Sequence, residues 1–195
     1  MKLDARFETS AFAPAGFPRW RRAEVALAGR SNVGKSSLLN ALAQQHGLAR
    51  TSRTPGRTRC INFFTAADNL ALVDLPGFGY ARMPRDMAHE IGKLMRDYLD
   101  RRRELAGLVL LIDARRGPGG EERDLVEIAR EHRVAVIVAA TKCDKLKRSE
   151  RSAALARVEP LGTQAILCSA RTGEGIDDLR RAILAIAHDA AVDHS

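Results

Sequence analysis

The sequence predicts an α/β chain built on a mostly parallel sheet with helices on both faces. Two observations carry that prediction. Short apolar runs alternate with amphipathic segments through almost all of the 195 residues, and a glycine-rich G-x-x-x-x-G-K-S string joins the first run to the first amphipathic segment. Strands are expected at 24–28, 61–66, 70–74, 108–114, 134–140 and 165–169, a six-stranded sheet. Helices are expected at 36–45, 85–103, 121–132, 150–161 and 176–190. The strands are apolar on both faces, as parallel strands covered on two sides are. One pair departs from the alternation. Only Ala67-Asp68-Asn69 separates 61–66 from 70–74, too short for a helical crossover, so these two form an antiparallel hairpin and one strand runs against the rest.

Residues 1–22 mix Phe7, Phe12, Phe17 and Trp20 with Pro14, Gly16 and Pro18. They read as an extended N-terminal arm that docks ahead of the first regular element, with 23–195 as one domain. At this length a single domain buries roughly 70% of its unfolded surface and needs no disulfide or structural metal. Gly47–Cys60 is rich in Arg, Thr, Gly and Pro without an apolar period and reads as a long surface loop, which in compact domains is usually functional or disordered.

Composition removes several classes. A hydrophobic share of 45% argues against disorder. The longest apolar runs, 108–112 and 134–140, fall far short of the ~18 residues of a membrane span. Residues 1–10 carry Asp4 and Glu8 where a secretory signal would be continuously apolar. Three cysteines, Cys60, Cys143 and Cys168, have neither disulfide-framework nor zinc-site spacing, so a cytoplasmic protein is expected. The net charge is +8, and it is concentrated at 19–22, 50–59, 101–103 and 142–151, which suits an anionic partner. Arg101–Arg103 reads as a solvated helix end, and the five histidines as scattered surface residues.

The chemistry begins directly after the first strand. Gly29-Arg30-Ser31-Asn32-Val33-Gly34-Lys35-Ser36 is followed at once by a helix, the context that a phosphate-binding loop requires. Glycines let the backbone wrap close to an anion while successive N–H groups and the helix N-terminus face it. Lys35 is expected to reach the β- and γ-phosphates, and the Ser36 hydroxyl to ligate Mg²⁺. The next parallel strand runs into Asp74-Leu75-Pro76-Gly77. There Asp74 would serve the Mg²⁺ shell and Gly77 would sense a γ-phosphate. After 134–140 comes Thr141-Lys142-Cys143-Asp144. A fixed Asp144 carboxylate can accept from N1–H and the exocyclic amine of guanine, and adenine offers no such pair of donors. Two charge-assisted bonds of ~1.5–3 kcal/mol each would select guanine strongly. The Lys142 stem would cover the base, and the Cys168-Ser169-Ala170 turn could meet its O6. Taken in order, these pieces form the pattern of an enzyme that hydrolyses GTP.

The strings GRSNVGKSSLLNAL at Gly29–Leu42, TSRTPGRTRCINFF at Thr51–Phe64, LVDLPGFGYA at Leu72–Ala81 and TKCDK at Thr141–Lys145 resemble the EngB-type (YihA-type) bacterial GTP-binding proteins, from Phe7 to the last helix. The resemblance implies a Ras-like P-loop GTPase fold, GTP and GDP as substrate and product, and Mg²⁺. It also implies a role in maturation of the large ribosomal subunit and in normal cell division and septation. Residue chemistry leaves Thr51, Thr54 and Thr58 open as the loop's Mg²⁺ ligand; the family pattern G-R-T selects Thr58. The implied metal ligands are then Ser36, Thr58 and Asp74, and the implied participants in hydrolysis are Lys35, Asn32, Thr58 and Gly77. The nucleotide-contacting set extends through Ser37, Gly56, Arg57, Arg59 and Cys60. The chain departs from the family at Arg22-Ala23-Glu24, where a proline usually precedes the acidic residue.

Phe78 follows Gly77 where a water-orienting glutamine would stand, so slow intrinsic hydrolysis is expected. Related enzymes with an asparagine at the Asn32 position use K⁺ near the phosphates; Asn32 either does so or braces the loop. Arg53, Arg57 and Arg59 could act as a cis arginine or touch RNA. Gly47–Cys60 and Phe78–Pro84 are the expected switch segments. A monomeric GTP-dependent switch on the large ribosomal subunit or its precursor is the leading reading. A GTP-sensing binding module at the division machinery, with incidental hydrolysis, is the alternative.

Overall fold

The computed structural model describes residues 3–49, 60–67, 69–79 and 84–193. In chain order the elements are β1 (Arg6–Ala11), β2 (Ala23–Gly29), α1 (Lys35–Ala43), β3 (Ile61–Thr65), β4 (Leu70–Asp74), α2 (Arg85–Arg101) and β5 (Leu105–Asp113). They continue with α3 (Gly120–Glu131), β6 (Ala135–Thr141), α4 (Arg151–Val158), β7 (Gln164–Leu167) and α5 (Ile176–Asp193). One sheet holds all the strands in the order β1-β3-β4-β2-β5-β6-β7. The β3–β4 pairing is antiparallel, as the short connection requires, while β2, β4, β5, β6 and β7 run parallel.

Among the described residues the sheet has seven strands, one more than the sequence predicts. The extra one is β1, which lies within the segment read as an extended arm ahead of the first regular element and pairs antiparallel with β3. Its sequence, RFETSA, has three polar residues in a row at Glu8-Thr9-Ser10, and as an edge strand it buries only Ala11 and leaves Phe7 exposed, so it lacks the continuous apolar run that marks the inner strands. The neighbouring prolines and glycine hid it further.

Alternation along the inner strands sends side chains to two cores. Val25, Leu27, Val109 and Leu111 face Leu38, Leu39 and Leu42 of α1 and Leu179 and Ile183 of α5. Ala26, Ala28, Leu108 and Leu110 face Ile91, Leu94 and Met95 of α2 and Leu125, Val126 and Ala129 of α3. Among the described residues, no helix is long and apolar enough to cross a membrane.

Two buried charges lock this frame. Glu24, fully buried on β2, accepts hydrogen bonds from Trp20 Nε1 at 2.6 Å, Tyr98 Oη at 2.8 Å and Arg102 Nη2 at 2.5 Å. Arg102 Nη2 also donates to the Pro18 carbonyl at 2.8 Å, and the guanidinium lies 5.8 Å from the Phe63 ring. The arm, β2 and the end of α2 thus meet at one carboxylate. The expectation of a solvated helix end is corrected at Arg102, whose side chain is 10% exposed; Arg101 and Arg103 are exposed. Burial and the Glu24 charge hold the Tyr98 phenol well above its ordinary value, so it stays a proton donor to Glu24. On the other face, buried Arg180 of α5 donates from Nε to the Leu42 carbonyl at 3.1 Å and from Nη2 to the Ala41 carbonyl at 3.2 Å. A cation there satisfies carbonyls at the end of α1 that the helix leaves open.

Arg102→Ala leaves the Glu24 carboxylate buried without its cation. It should lower unfolding free energy by about 3–5 kcal/mol, measured by urea denaturation; a loss under about 1 kcal/mol would contradict this role.

Candidate nucleotide-binding site

The parallel strands end on one edge of the sheet, and the sequence motifs lie at those ends. After β2 the chain turns through Asn32 (φ 61°) and Gly34 (φ 110°) into α1. A side chain on Gly34 would meet no atom within 4 Å, so the left-handed backbone there, rather than crowding, calls for glycine. At Gly29 the reason is crowding: a Cβ would stand 2.9 Å from the Leu111 carbonyl oxygen. Lys35 and Ser36 open α1 half-buried, with Ser37 exposed beside them.

Leu27 pairs in register with Asp74 across β2 and β4, which brings the end of β4 beside the loop. Lys35 Nζ lies 2.5 Å from Asp74 Oδ1, and the Asp74 side chain is only 4% exposed. The chain from Leu75 onward stays attached to the loop: Leu75 N–H donates to the Leu27 carbonyl, Phe78 N–H to Gly29, and Ser31 N–H to Phe78, at 3.1, 3.3 and 2.9 Å. Leu75, Pro76 and Gly77 are buried. The Phe78 ring packs into the core beneath α2. The Arg30 guanidinium fills the space beside Gly79, where a Cβ would lie 3.0 Å from it, and reaches Glu121 at 3.5 Å. Arg30 therefore contributes backbone to the loop while its side chain leads to the start of α3.

The ends of β6 and β7 supply a second group. Thr141 Oγ1 donates to the Val33 carbonyl at 2.9 Å, and Lys142 Nζ to the Asn32 carbonyl at 2.8 Å. Both bonds anchor the Thr141–Asp144 turn to the phosphate-binding loop. Asp144 Oδ1 accepts from Ser169 Oγ at 2.7 Å and Oδ2 from Arg171 Nε at 2.8 Å. These two donors, Ser169 first, hold the carboxyl below its ordinary range, so it is ionised at neutral pH. Ser169 Oγ also accepts from the backbone N–H of Arg171 and Thr172, which fixes the turn containing Ala170. Cys143 and Cys168 are fully buried, and their backbones are joined by a hydrogen bond from Cys143 N–H to the Cys168 carbonyl at 3.2 Å. Burial pushes their thiols up to about 11 and about 12, which fits packing rather than reactivity.

Gly56, Arg57, Thr58 and Arg59 lie outside the described residues, as do Thr51, Arg53 and Thr54 and most of both expected switch segments. Cys60, half-buried, begins the described chain before β3. Two site residues escaped the sequence reading. Asp113, at the end of β5, accepts from Arg115 Nη2 at 2.6 Å and Lys142 Nζ at 3.2 Å and so orients Lys142. Its place as an acidic residue ending an apolar strand, the same signal that marked Asp74, could have found it. Arg171 carried no signal, since its partner is set by the fold.

Comparison with known proteins gives a consistent result. The family model described as 50S ribosome-binding GTPase matches residues 24–142, and that of the elongation factor Tu GTP binding domain matches 96–189. A probable GTP-binding protein EngB from an Exiguobacterium species is 42% identical over 192 residues, covering 95% of this chain and 98% of the relative. One from Desulforamulus reducens is 44% identical, covering 92% and 90%. Among solved structures, a probable GTP-binding protein EngB superposes with a TM-score of 0.69 at 28% identity, over 86% of this chain and all of the other.

The Arg115 bond, with Lys142 behind it, outweighs partial burial and holds the Asp113 carboxyl well below its ordinary range. A carboxyl depressed in the folded state stabilises above its unfolded pKa of about 4 and loses that contribution as pH falls through the folded value. Asp113→Asn should therefore cost about 1–2 kcal/mol at pH 7 and 5, with the gap to wild type narrowing below about pH 4. Urea denaturation across that range checks it; a gap that widens in acid would refute the assignment.

Proposed function

The chain belongs to the EngB family of GTP-binding proteins, and from that premise we propose that it is a GTP-hydrolysing switch for assembly of the large ribosomal subunit, needed for normal division and septation. The observation that carries the nucleotide reading is the ionised Asp144, held by Ser169 in a turn that Thr141 and Lys142 tie to the phosphate-binding loop. One rigid connection then sets the distance between guanine recognition and phosphate chemistry. The ribosomal half is supported by the description of the matching family model and by the net charge of +8.

In this reading the N–H groups of the 29–37 loop and the Lys35 ammonium bind the β- and γ-phosphates. Ser36 Oγ and the Asp74 carboxylate are hard oxygen donors on adjoining elements, a donor set that suits Mg²⁺, with Thr58 as the family's further ligand. Mg²⁺, when bound, neutralises charge on the phosphate oxygens. Gly77, beside the loop, offers its N–H to the γ-phosphate. The family's contacts at Gly56, Arg57, Arg59 and Cys60 complete the set. Hydrolysis needs an oriented water, and the Phe78 ring, packed into the core, has no group to orient one. Intrinsic turnover is therefore slow, and Asn32 supports K⁺ binding near the phosphates. The protein acts in the cytoplasm as a monomer, and its output is conformation read by the ribosomal partner.

Three outcomes are expected. Asp144→Asn removes the charged acceptor and should weaken GTP binding about 10²–10⁴-fold while improving xanthosine triphosphate, whose C2 carbonyl replaces the guanine amine; equilibrium titration reads both. Hydrolysis should be faster in K⁺ than in Na⁺, and equal rates would remove the Asn32 role. Sedimentation with large ribosomal subunits should show salt-sensitive binding with a non-hydrolysable GTP analogue and loss of it with GDP. Absence of binding with either nucleotide would overturn the ribosomal reading and leave the nucleotide chemistry standing.

A further inference from the structure

The edge of the sheet opposite the nucleotide site carries a groove of about 820 Å³. It lies where the parallel strands begin, bordered by Ala23 of β2, Leu105 of β5, Ala135 of β6 and the last turns of α5. Four arginines from three stretches of chain line it: Arg21 and Arg22 ahead of β2, Arg103 ahead of β5, and Arg133 ahead of β6. Arg22 is engaged with the Ala67 carbonyl at 3.1 Å. Arg21, Arg103 and Arg133 are exposed, and none has an ion pair to a described residue. Arg133 moreover holds a left-handed backbone, φ 57°, just past the end of α3, a position where glycine or asparagine would be free of strain. The floor is apolar, with Leu105 and Ile186 among its residues.

We propose that this groove binds single-stranded RNA, with its arginines on phosphates and its apolar floor against ribose or base. The ligand class rests on the ribosomal reading above; the site itself lies at the opposite edge of the sheet from the phosphate-binding loop. Guanidinium forks match phosphate oxygens in pairs, and a concave groove receives a chain where a membrane surface would meet only its rim. The acidic residues separate RNA from an acidic peptide. Glu104 is engaged by Arg102 at 3.3 Å. Asp189 lines the groove with its side chain 84% exposed. Its carboxylate, 3.7 Å from His188 Nδ1, can accept from a 2′-hydroxyl or an exocyclic amine, donors that RNA carries and the carboxylates of an acidic peptide lack.

The test is fluorescence anisotropy of a labelled 20-nucleotide single-stranded RNA with the full chain at several salt concentrations. Arg103→Glu/Arg133→Glu should weaken binding about tenfold or more and reduce the slope of log K against log salt by about 1.4, two phosphate contacts at ~0.7 each. Arg96→Glu/Arg123→Glu, an equal charge change on the outer faces of α2 and α3, should stay within about twofold. The neutral pair Arg103→Ser/Arg133→Asn, whose asparagine suits the left-handed backbone, should move binding in the same direction by less. GTP affinity and melting temperature confirm folding of each variant. Poly-glutamate should fail to displace the RNA, and phosphatidylglycerol vesicles should fail to bind. Wild-type affinity in the Arg103/Arg133 variants, equal loss in the control pair, or displacement by poly-glutamate would each overturn the groove. Subunit sedimentation reports on the ribosomal reading separately. Loss of oligonucleotide binding in the variants with no sedimentation of wild type refutes that reading alone; sedimentation with unchanged oligonucleotide binding refutes the groove alone.

Discussion

The parallel register of β2 against β4 and β5 is the constraint from which the chemistry of this protein follows. Leu27 stands opposite Asp74 and Val109, so strands arriving from distant parts of the chain stop at the same level. Their last residues then project from one edge. A slip of one residue would send Asp74 to the other face of the sheet and away from Lys35. Burial enforces the register, because the inner strands are packed on both faces and any slip would move apolar side chains out of two cores at once.

The parts of this design that were legible in the sequence are those whose signal is local. Gly29 and Gly34 announce a loop, the one through crowding and the other through its left-handed backbone, and Asp74 and Asp144 announce themselves by standing at the ends of apolar runs. The hairpin of β3 and β4 follows from a connection too short for anything else. What was not legible depends on partners far along the chain. Arg102 looks like one of three solvated arginines until Glu24, 78 residues away, is folded against it. Arg180 finds the end of α1 across 138 residues. Likewise β1 carries too little buried apolar surface to declare itself; its pairing is set by β3, which exists as a strand edge only after the hairpin has formed.

The molecule also separates its charges by sheet edge. At the carboxyl ends of the strands, arginines and lysines are largely matched to carboxylates: Lys35 with Asp74, Lys142 and Arg115 with Asp113, Arg171 with Asp144. At the amino ends Arg102 is paired with Glu24 and Glu104, while Arg21, Arg103 and Arg133 are exposed and have no ion pair to a described residue. The two edges are joined by β2 itself, which carries Glu24 near its start and the phosphate-binding loop at its finish.

The contact between Arg30 and Gly79 restricts how the segment after Asp74 can move. Three hydrogen bonds, from Leu75, Phe78 and Ser31, fix that segment's position along β2 and its loop. Sliding would break all three together. Beside Gly79 the Arg30 guanidinium occupies the place a side chain would take, and the same cation lies 3.5 Å from Glu121. One guanidinium thereby serves as a wedge shared by the end of that segment and the start of α3.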